Sequence, residues 1–289
     1  MYGLAHLKAA LKRPERIVIE VGRIQHRIDP RHSNDEGECF VNQEWDVLVL
    51  LDACRYDFFV ERCSLPGETG YKYSLGSNSP EFIKENFSGR ESLDTIVVTA
   101  NPWYRKLQSE HEFRFFDLIY VEGDPDRIGV RPETLTDRAL AVDENHPDKR
   151  LVLHYMQPHQ PYMGPTGEAI EHCGPTDVTL LENNVDDDTL RSAYAENLDL
   201  VLDEIERVFE NVPGRIVVTA DHGELLGERP YFLPVRDFGH PRGVYSDELV
   251  KVPWHVYENG DRDVRASRAP KETTEPDVEE DLKALGYKL

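Results

Sequence analysis

Two apolar runs in this chain end in side chains that ligate divalent metals. Residues 47–51 read Val-Leu-Val-Leu-Leu and lead into Asp52, while residues 217–220 read Val-Val-Thr-Ala and lead into Asp221, His222, Gly223 and Glu224. A strand buried on both faces reads as an unbroken apolar run, and groups at its carboxyl end face the crevice where open α/β sheets bind ligands. Asp52, Asp221 and His222 are therefore expected to converge, offering carboxylate oxygen and neutral imidazole to an ion such as Zn²⁺ or Mn²⁺. Gly223 lets the backbone turn sharply without a side chain blocking the approach. Taken singly, Asp52 could cap a helix and Asp-His-Gly could be a turn; a second strand ending in the same chemistry favours a joint site. The reaction such a site suits is ester hydrolysis, which needs a nucleophile near the ion and groups that neutralise the oxygens of the transferring group.

Ser77 and Ser79 are the candidate nucleophiles. Ser79 is preferred, because Ser79-Pro80-Glu81 reads as a hydroxyl N-cap with proline in the first turn, and a hydroxyl there feels the positive end of the helix dipole. An ordinary cap is the competing reading of the same residue. Arg55 follows Asp52 closely enough to clamp phosphate oxygens, or to pair with Asp57 or Glu61 along a helix.

The elements that must position these groups alternate. Strands are expected at residues 47–51, 95–99, 115–121, 151–155, 216–219 and 254–257, with helical patterns between most of them. The clearest helix spans residues 189–209. There Leu190, Tyr194, Leu198, Val201, Leu202, Ile205, Val208 and Phe209 form one stripe, and Glu196, Asp203, Glu204 and Arg207 take the other face. Alternation of this kind predicts a three-layer α/β/α sandwich with a mainly parallel sheet. Residues 1–40 read as a lead-in and 41–289 as one catalytic domain, closed by a short helix at 278–285. Irregular insertions at 164–188 and 228–247 follow the proposed site residues and are expected to form the substrate rim.

Composition narrows the partners. A formal charge of −22 opposes binding to nucleic acid or anionic lipid. A dispersed acidic surface suits a high-salt cytosol of the haloarchaeal kind, where screening removes self-repulsion. Four cysteines, Cys39, Cys54, Cys63 and Cys173, lack metal or secretory spacing and are expected to be free thiols. The amino terminus does not read as a signal peptide, and no stretch approaches the roughly 20 apolar residues of a membrane span. The expectation is a cytoplasmic enzyme acting on a small anionic ester.

These segments together resemble the alkaline phosphatase superfamily, particularly its sulfatase-like and phosphodiesterase-like branches, from about Trp45 to Tyr287. The resemblance is carried by residues 51–57, Ser77-Asn78-Ser79-Pro80-Glu81, His159-Gln160-Pro161-Tyr162, Thr219-Ala220-Asp221-His222-Gly223-Glu224 with Gly227-Glu228, Gly239-His240 and residues 282–287. It implies that Asp52, Asp221, His222 and the Ser79 hydroxyl hold a divalent metal, and that Asn101 contacts a phosphoryl oxygen. Two departures matter. The Ser79 turn lacks the Cys-x-Pro-x-Arg of formylglycine sulfatases, and Cys173-Gly174-Pro175 is a chance near match. The aspartate that two-zinc relatives carry four residues before His159 is Tyr155, so a second ion would have only His154, His159 and His240, and one ion (Mn, Zn, Mg or Ca) is expected. His159 and His240 are then free to bind the substrate anion or protonate the departing oxygen, and His154, inside an apolar strand, reads as a core histidine. The resemblance also admits a transferase passing a phospho- or sulfo-group to a glycan or lipid head group, and a non-catalytic binder of an anion or partner.

Overall fold

A computed structural model describes residues 34–124, 129–172, 183–231 and 235–266, together with residues 174, 176, 179 and 180. Most of the expected lead-in, Cys173 and the expected closing helix lie outside the described residues. The core includes Phe40, ahead of Trp45 and the buried strand β1 (Val47–Leu51). β1 lies between β5 (Arg150–Tyr155) and β6 (Gly214–Ala220) and runs parallel to both. β3 (Glu91–Thr99) extends the parallel set beside β5, and β4 (Arg114–Tyr120) completes it beside β3. On the other side β9 (Lys251–Asn259) pairs antiparallel with β6, and β2 (Glu68–Tyr73) pairs antiparallel with β9. The seven strands form one mixed, mainly parallel sheet.

Helices cover both faces, which is why β1 is apolar at every position. α1 (Tyr56–Arg62), α4 (Pro132–Asn145) and α5 (Asp187–Asn211) pack in one layer, whereas α2 (Ser79–Phe87) and α3 (Trp103–His111) pack together in the other. The chain is thus the expected three-layer sandwich. α5 buries all eight apolar residues of the predicted stripe, each worth roughly 1.5–3 kcal/mol of transfer free energy. It also buries Asn197, which a purely apolar stripe does not explain.

β2 was not expected. Its sequence, Glu-Thr-Gly-Tyr-Lys-Tyr, is exposed over its first four residues, so an edge strand leaves no apolar pattern to read. The second insertion is less irregular than anticipated: β8 (Phe238–Gly239) pairs with β7 (Leu225–Leu226) just past the β6 end.

Candidate metal centre

Strand register makes the carboxylates meet. Leu51 is level with Ala220 on one side and Tyr155 on the other, so Asp52 and Asp221 leave the sheet flush with one another. The turn after Asp52 is left-handed at Ala53 (φ 62°), a conformation costly for a side chain with a Cβ. It aims the Ala53 N–H at Asp221 Oδ1, 3.1 Å away, and that oxygen also accepts from the His222 N–H at 2.9 Å. Backbone donors therefore hold Asp221 Oδ1 and leave Oδ2 facing the site. His222 has Nδ1 2.8 Å from the Gly223 carbonyl, which fixes the proton on Nδ1 and turns the Nε2 lone pair inward.

Nε2 of His222 lies 3.4 Å from Asp221 Oδ2, 3.6 Å from Asp52 Oδ1 and 3.4 Å from Ser79 Oγ. Ser79 Oγ is 3.3 Å from Asp52 Oδ2, which also accepts from Asn101 Nδ2 at 3.1 Å. The separations among Asp52, Ser79, Asp221 and His222 exceed good hydrogen bonds, and they approach the ~3.4 Å edge of a tetrahedron of ligands each about 2.1 Å from a central ion. All five side chains are fully buried. Among the described residues, Asp52 Oδ1 and Asp221 Oδ2 have no hydrogen-bond partner, an arrangement costly for buried carboxylate oxygens unless a cation completes it. Burial, with the neighbouring Asp221 charge, pushes the Asp52 carboxyl well above its usual range. Burial pushes Asp221 the same way, but His222 and His154 prevail and hold it below that range. The donor set fits a divalent ion.

Ser79 differs from expectation in one respect: it is not the helix cap. Asn78 caps α2, accepting from the Glu81 N–H at 3.0 Å, and so leaves the Ser79 hydroxyl unengaged by the helix end. Ser77 is directed elsewhere. Its hydroxyl bonds Glu81 Oε2 (3.0 Å) and the Pro241 carbonyl (3.1 Å) and accepts from the Gly243 N–H (2.9 Å), tying α2 to the second insertion. Arg55 is likewise engaged, with Asp57 at 2.7 Å and Glu228 at 2.6 Å, in place of the Glu61 alternative. Its guanidinium also donates to the Glu224 carbonyl, so it links the loop after β1 to the loop after β6.

A second group adjoins the first. His159, Glu224 and His240 place ligand atoms within 4.8 Å of one another, and His240 Nδ1 is 2.8 Å from Glu224 Oε2. Glu224 supplies the carboxylate that Tyr155 lacks. Its other oxygen accepts from Thr176 Oγ1 at 3.2 Å, so the first insertion does reach the site. Burial, with the neighbouring His240, holds the His159 pKa down to about 4, and burial likewise holds His222 to about 4. Burial pushes His240 down too, but Glu224 outweighs it and raises the value.

His154 is more than a core histidine. Its Nε2 lies 3.5 Å from Asp221 Oδ2 without a hydrogen bond, and it forms a ligand-spaced group with Asp52 and Asp221. Thr99 stands level with His154, which places Asn101 and this ring at neighbouring strand ends. Glu224 was visible in the Asp-His-Gly-Glu block and His154 as a histidine available to a second ion, though not beside Asp52 and Asp221; the contact of Thr176 left no local signal.

No family model matches the chain. Among curated proteins, the phosphoethanolamine transferase EptA of Helicobacter pylori (strain ATCC 700392 / 26695) is 22% identical over 204 residues, which is 66% of this chain. The matched region spans only 37% of that relative's length. Among solved structures, the soluble domain of lipooligosaccharide phosphoethanolamine transferase A from Neisseria meningitidis aligns with a TM-score of 0.49 at 15% identity, over 72% of this chain and 75% of that one. The C-terminal periplasmic domain of EcEptC from Escherichia coli, in complex with Zn, aligns with a TM-score of 0.46 at 12% identity, over 74% of this chain and 72% of that one. None of these findings supports the cytoplasmic placement or the halophilic habit. Among the described residues, no helix is long and apolar enough to cross a membrane.

Proposed function

We propose that this chain catalyses metal-dependent phosphoryl transfer through a covalent seryl intermediate at Ser79, and that the acceptor is an alcohol on a glycan or lipid head group in preference to water. The observation that carries the reading is the Ser79 hydroxyl at ligand spacing from His222 and Asp52, beside two buried carboxylate oxygens without partners. The activity named for the Helicobacter relative supports a transferase over the hydrolase expected from sequence.

Asp52, Asp221, His222 and Ser79 would hold the ion, which when bound lowers the cost of the seryl alkoxide and screens the phosphoryl oxygens. The amino end of α2 stabilises negative charge at Ser79. Asn101 keeps one N–H for a phosphoryl oxygen while the other holds Asp52. The paired His240 and Glu224 form the proton source for the departing oxygen, and neutral His159 is placed to take a proton from the incoming alcohol. His159, Glu224 and His240 also suit a second cation, and ion stoichiometry separates the two roles. Arg55, tied to Asp57 and Glu228, acts on the loops and not on substrate.

Incubation with a p-nitrophenyl phosphodiester and Mn²⁺ or Zn²⁺, followed by intact-mass analysis, tests the proposal. A seryl phosphodiester adduct that Ser79→Ala removes, with more glyceryl phosphodiester than phosphomonoester when glycerol is supplied, is the expected result. An adduct surviving Ser79→Ala rejects the nucleophile, and the phosphomonoester formed by water as the sole product restores the hydrolase.

A further inference from the structure

Two loops carry the chemistry toward the sheet rim: one follows β1 and bears Asp52, the other follows β5 and bears His159. Neither packs as a regular element, so something must fix their carbonyls. A single turn of α5 does this for both. Tyr194 donates its hydroxyl to the Ala53 carbonyl at 2.6 Å and accepts from the Arg55 N–H at 2.9 Å, bracketing the left-handed turn next to Asp52. Three residues on, and so on the same helix face, Asn197 donates Nδ2 to the His159 carbonyl at 3.1 Å and the Pro161 carbonyl at 3.0 Å, with the Pro158 carbonyl at 3.4 Å. Its Oδ1 accepts from the Met163 N–H at 2.6 Å. Tyr194 and Asn197 are fully buried. Between them Glu196, expected on the solvent face, accepts from the Thr166 N–H at 2.7 Å and the Thr166 hydroxyl at 2.6 Å. The two loops also touch directly, where the His159 N–H meets the Asp52 carbonyl at 3.2 Å.

We propose that Tyr194 and Asn197 are positioning residues with separate tasks: Tyr194 sets the Asp52 ligand, and Asn197 sets the His159 side of the site. A helix interior has no packing use for a buried carboxamide or phenol hydroxyl, and burying each is costly unless its partners are supplied. Here the partners are loop carbonyls and N–H groups, those of Ala53, Arg55, Pro158 and His159 in buried residues. The inference rests on the metal-centre reading given above.

The test uses Tyr194→Phe, which removes one hydroxyl, and Asn197→Asp, which keeps the side-chain volume and the Met163 acceptor but removes the donors. Asn197→Ala serves as a second variant, and circular dichroism checks folding. Mn²⁺ affinity is measured by calorimetry, and kcat with a p-nitrophenyl phosphodiester. Tyr194→Phe is expected to weaken Mn²⁺ binding about tenfold, within the range for partners that orient metal ligands. Asn197→Asp is expected to leave Mn²⁺ affinity within about twofold of wild type and to lower kcat by about 100-fold through misplacement of His159. Lower melting temperatures with wild-type Mn²⁺ affinity in Tyr194→Phe and wild-type kcat in the folded Asn197 variants would reduce both residues to packing and overturn the inference. A wild-type chain that takes up no ion rejects the metal centre itself; uptake that is indifferent to Tyr194 rejects only the clamp.

Discussion

Gly223 is where a single methyl group does most damage. A Cβ at this position would lie 2.0 Å from the Glu248 carbonyl oxygen and 3.0 Å from its carbon. An ordinary carbon to oxygen contact is about 3.3 Å or more, so one backbone must retreat by roughly 1.3 Å. The retreat pulls on the Gly223 N–H bond to the Leu249 carbonyl, 2.7 Å long, and carries the flanking His222 and Glu224 with it. Reduced freedom of the unfolded chain gives Gly→Ala back only about 0.4–1 kcal/mol, against roughly 1–3 kcal/mol for an overpacked interior. The net loss is about 1–2 kcal/mol, or a melting temperature lower by several degrees at about 2–4 °C per kcal/mol. Function should suffer more, because displacing a reacting group by about 1 Å costs on the order of 100-fold in rate. Scanning calorimetry and steady-state turnover of Gly223→Ala measure both. A variant that melts and turns over like wild type would refute the idea that close approach to Glu248 fixes His222 and Glu224.

Other perturbations separate the remaining roles. Ser79→Ala is expected to abolish turnover, whereas Ser77→Ala should cost about 1 kcal/mol of stability from its lost hydrogen bonds and retain activity, as thermal melts and rate assays of both variants will show. Asp221→Ala and His222→Ala should each weaken Mn²⁺ binding more than 100-fold by calorimetry, since each removes a ligand of the proposed centre; retained affinity argues against the assignment. In the metal-free protein His159 and His222, both held to about 4, stay neutral in the folded state while the unfolded chain takes up protons below about 6.5. The unfolded state then binds more protons, so these two groups favour folding less as pH falls from 6.5 toward 4. His240, with its raised value, works in the opposite direction and stabilises on the acid side. Asp52, held above its usual range, also stabilises on the acid side, so the share of His222 is read by difference: from pH 7 to pH 5 the wild type should lose more melting temperature, or gain less, than His222→Gln.

Much of the sheet was legible because buried parallel strands cannot hide: β1 is apolar along its length and β6 is apolar from Ile216 to Val218. Asp52, Asp221 and His222 could therefore be brought together from strand ends alone, whereas Asn101 and the place of Ser79 beside the ion were legible only through the family resemblance. β2 escaped because an edge strand answers to pairing with β9 and not to burial. Asn78 took the cap from Ser79 because the two residues are adjacent and both suit an N-cap, so sequence could not choose between them. The contribution of α5 was hidden for another reason. A polar residue inside an amphipathic helix has no distinctive spacing, and its partners are backbone atoms of loops whose path depends on the whole fold.

One divalent ion is proposed to sit between Asp52, Ser79, Asp221 and His222. Crystals grown with Mn²⁺ or Zn²⁺ and measured at the metal absorption edge decide it. The expected result is an anomalous peak about 2.0–2.2 Å from a carboxylate oxygen of Asp52 and of Asp221 and from His222 Nε2, with Ser79 Oγ facing it. A peak at His159, Glu224 and His240 alone, or no peak at either group, would contradict it.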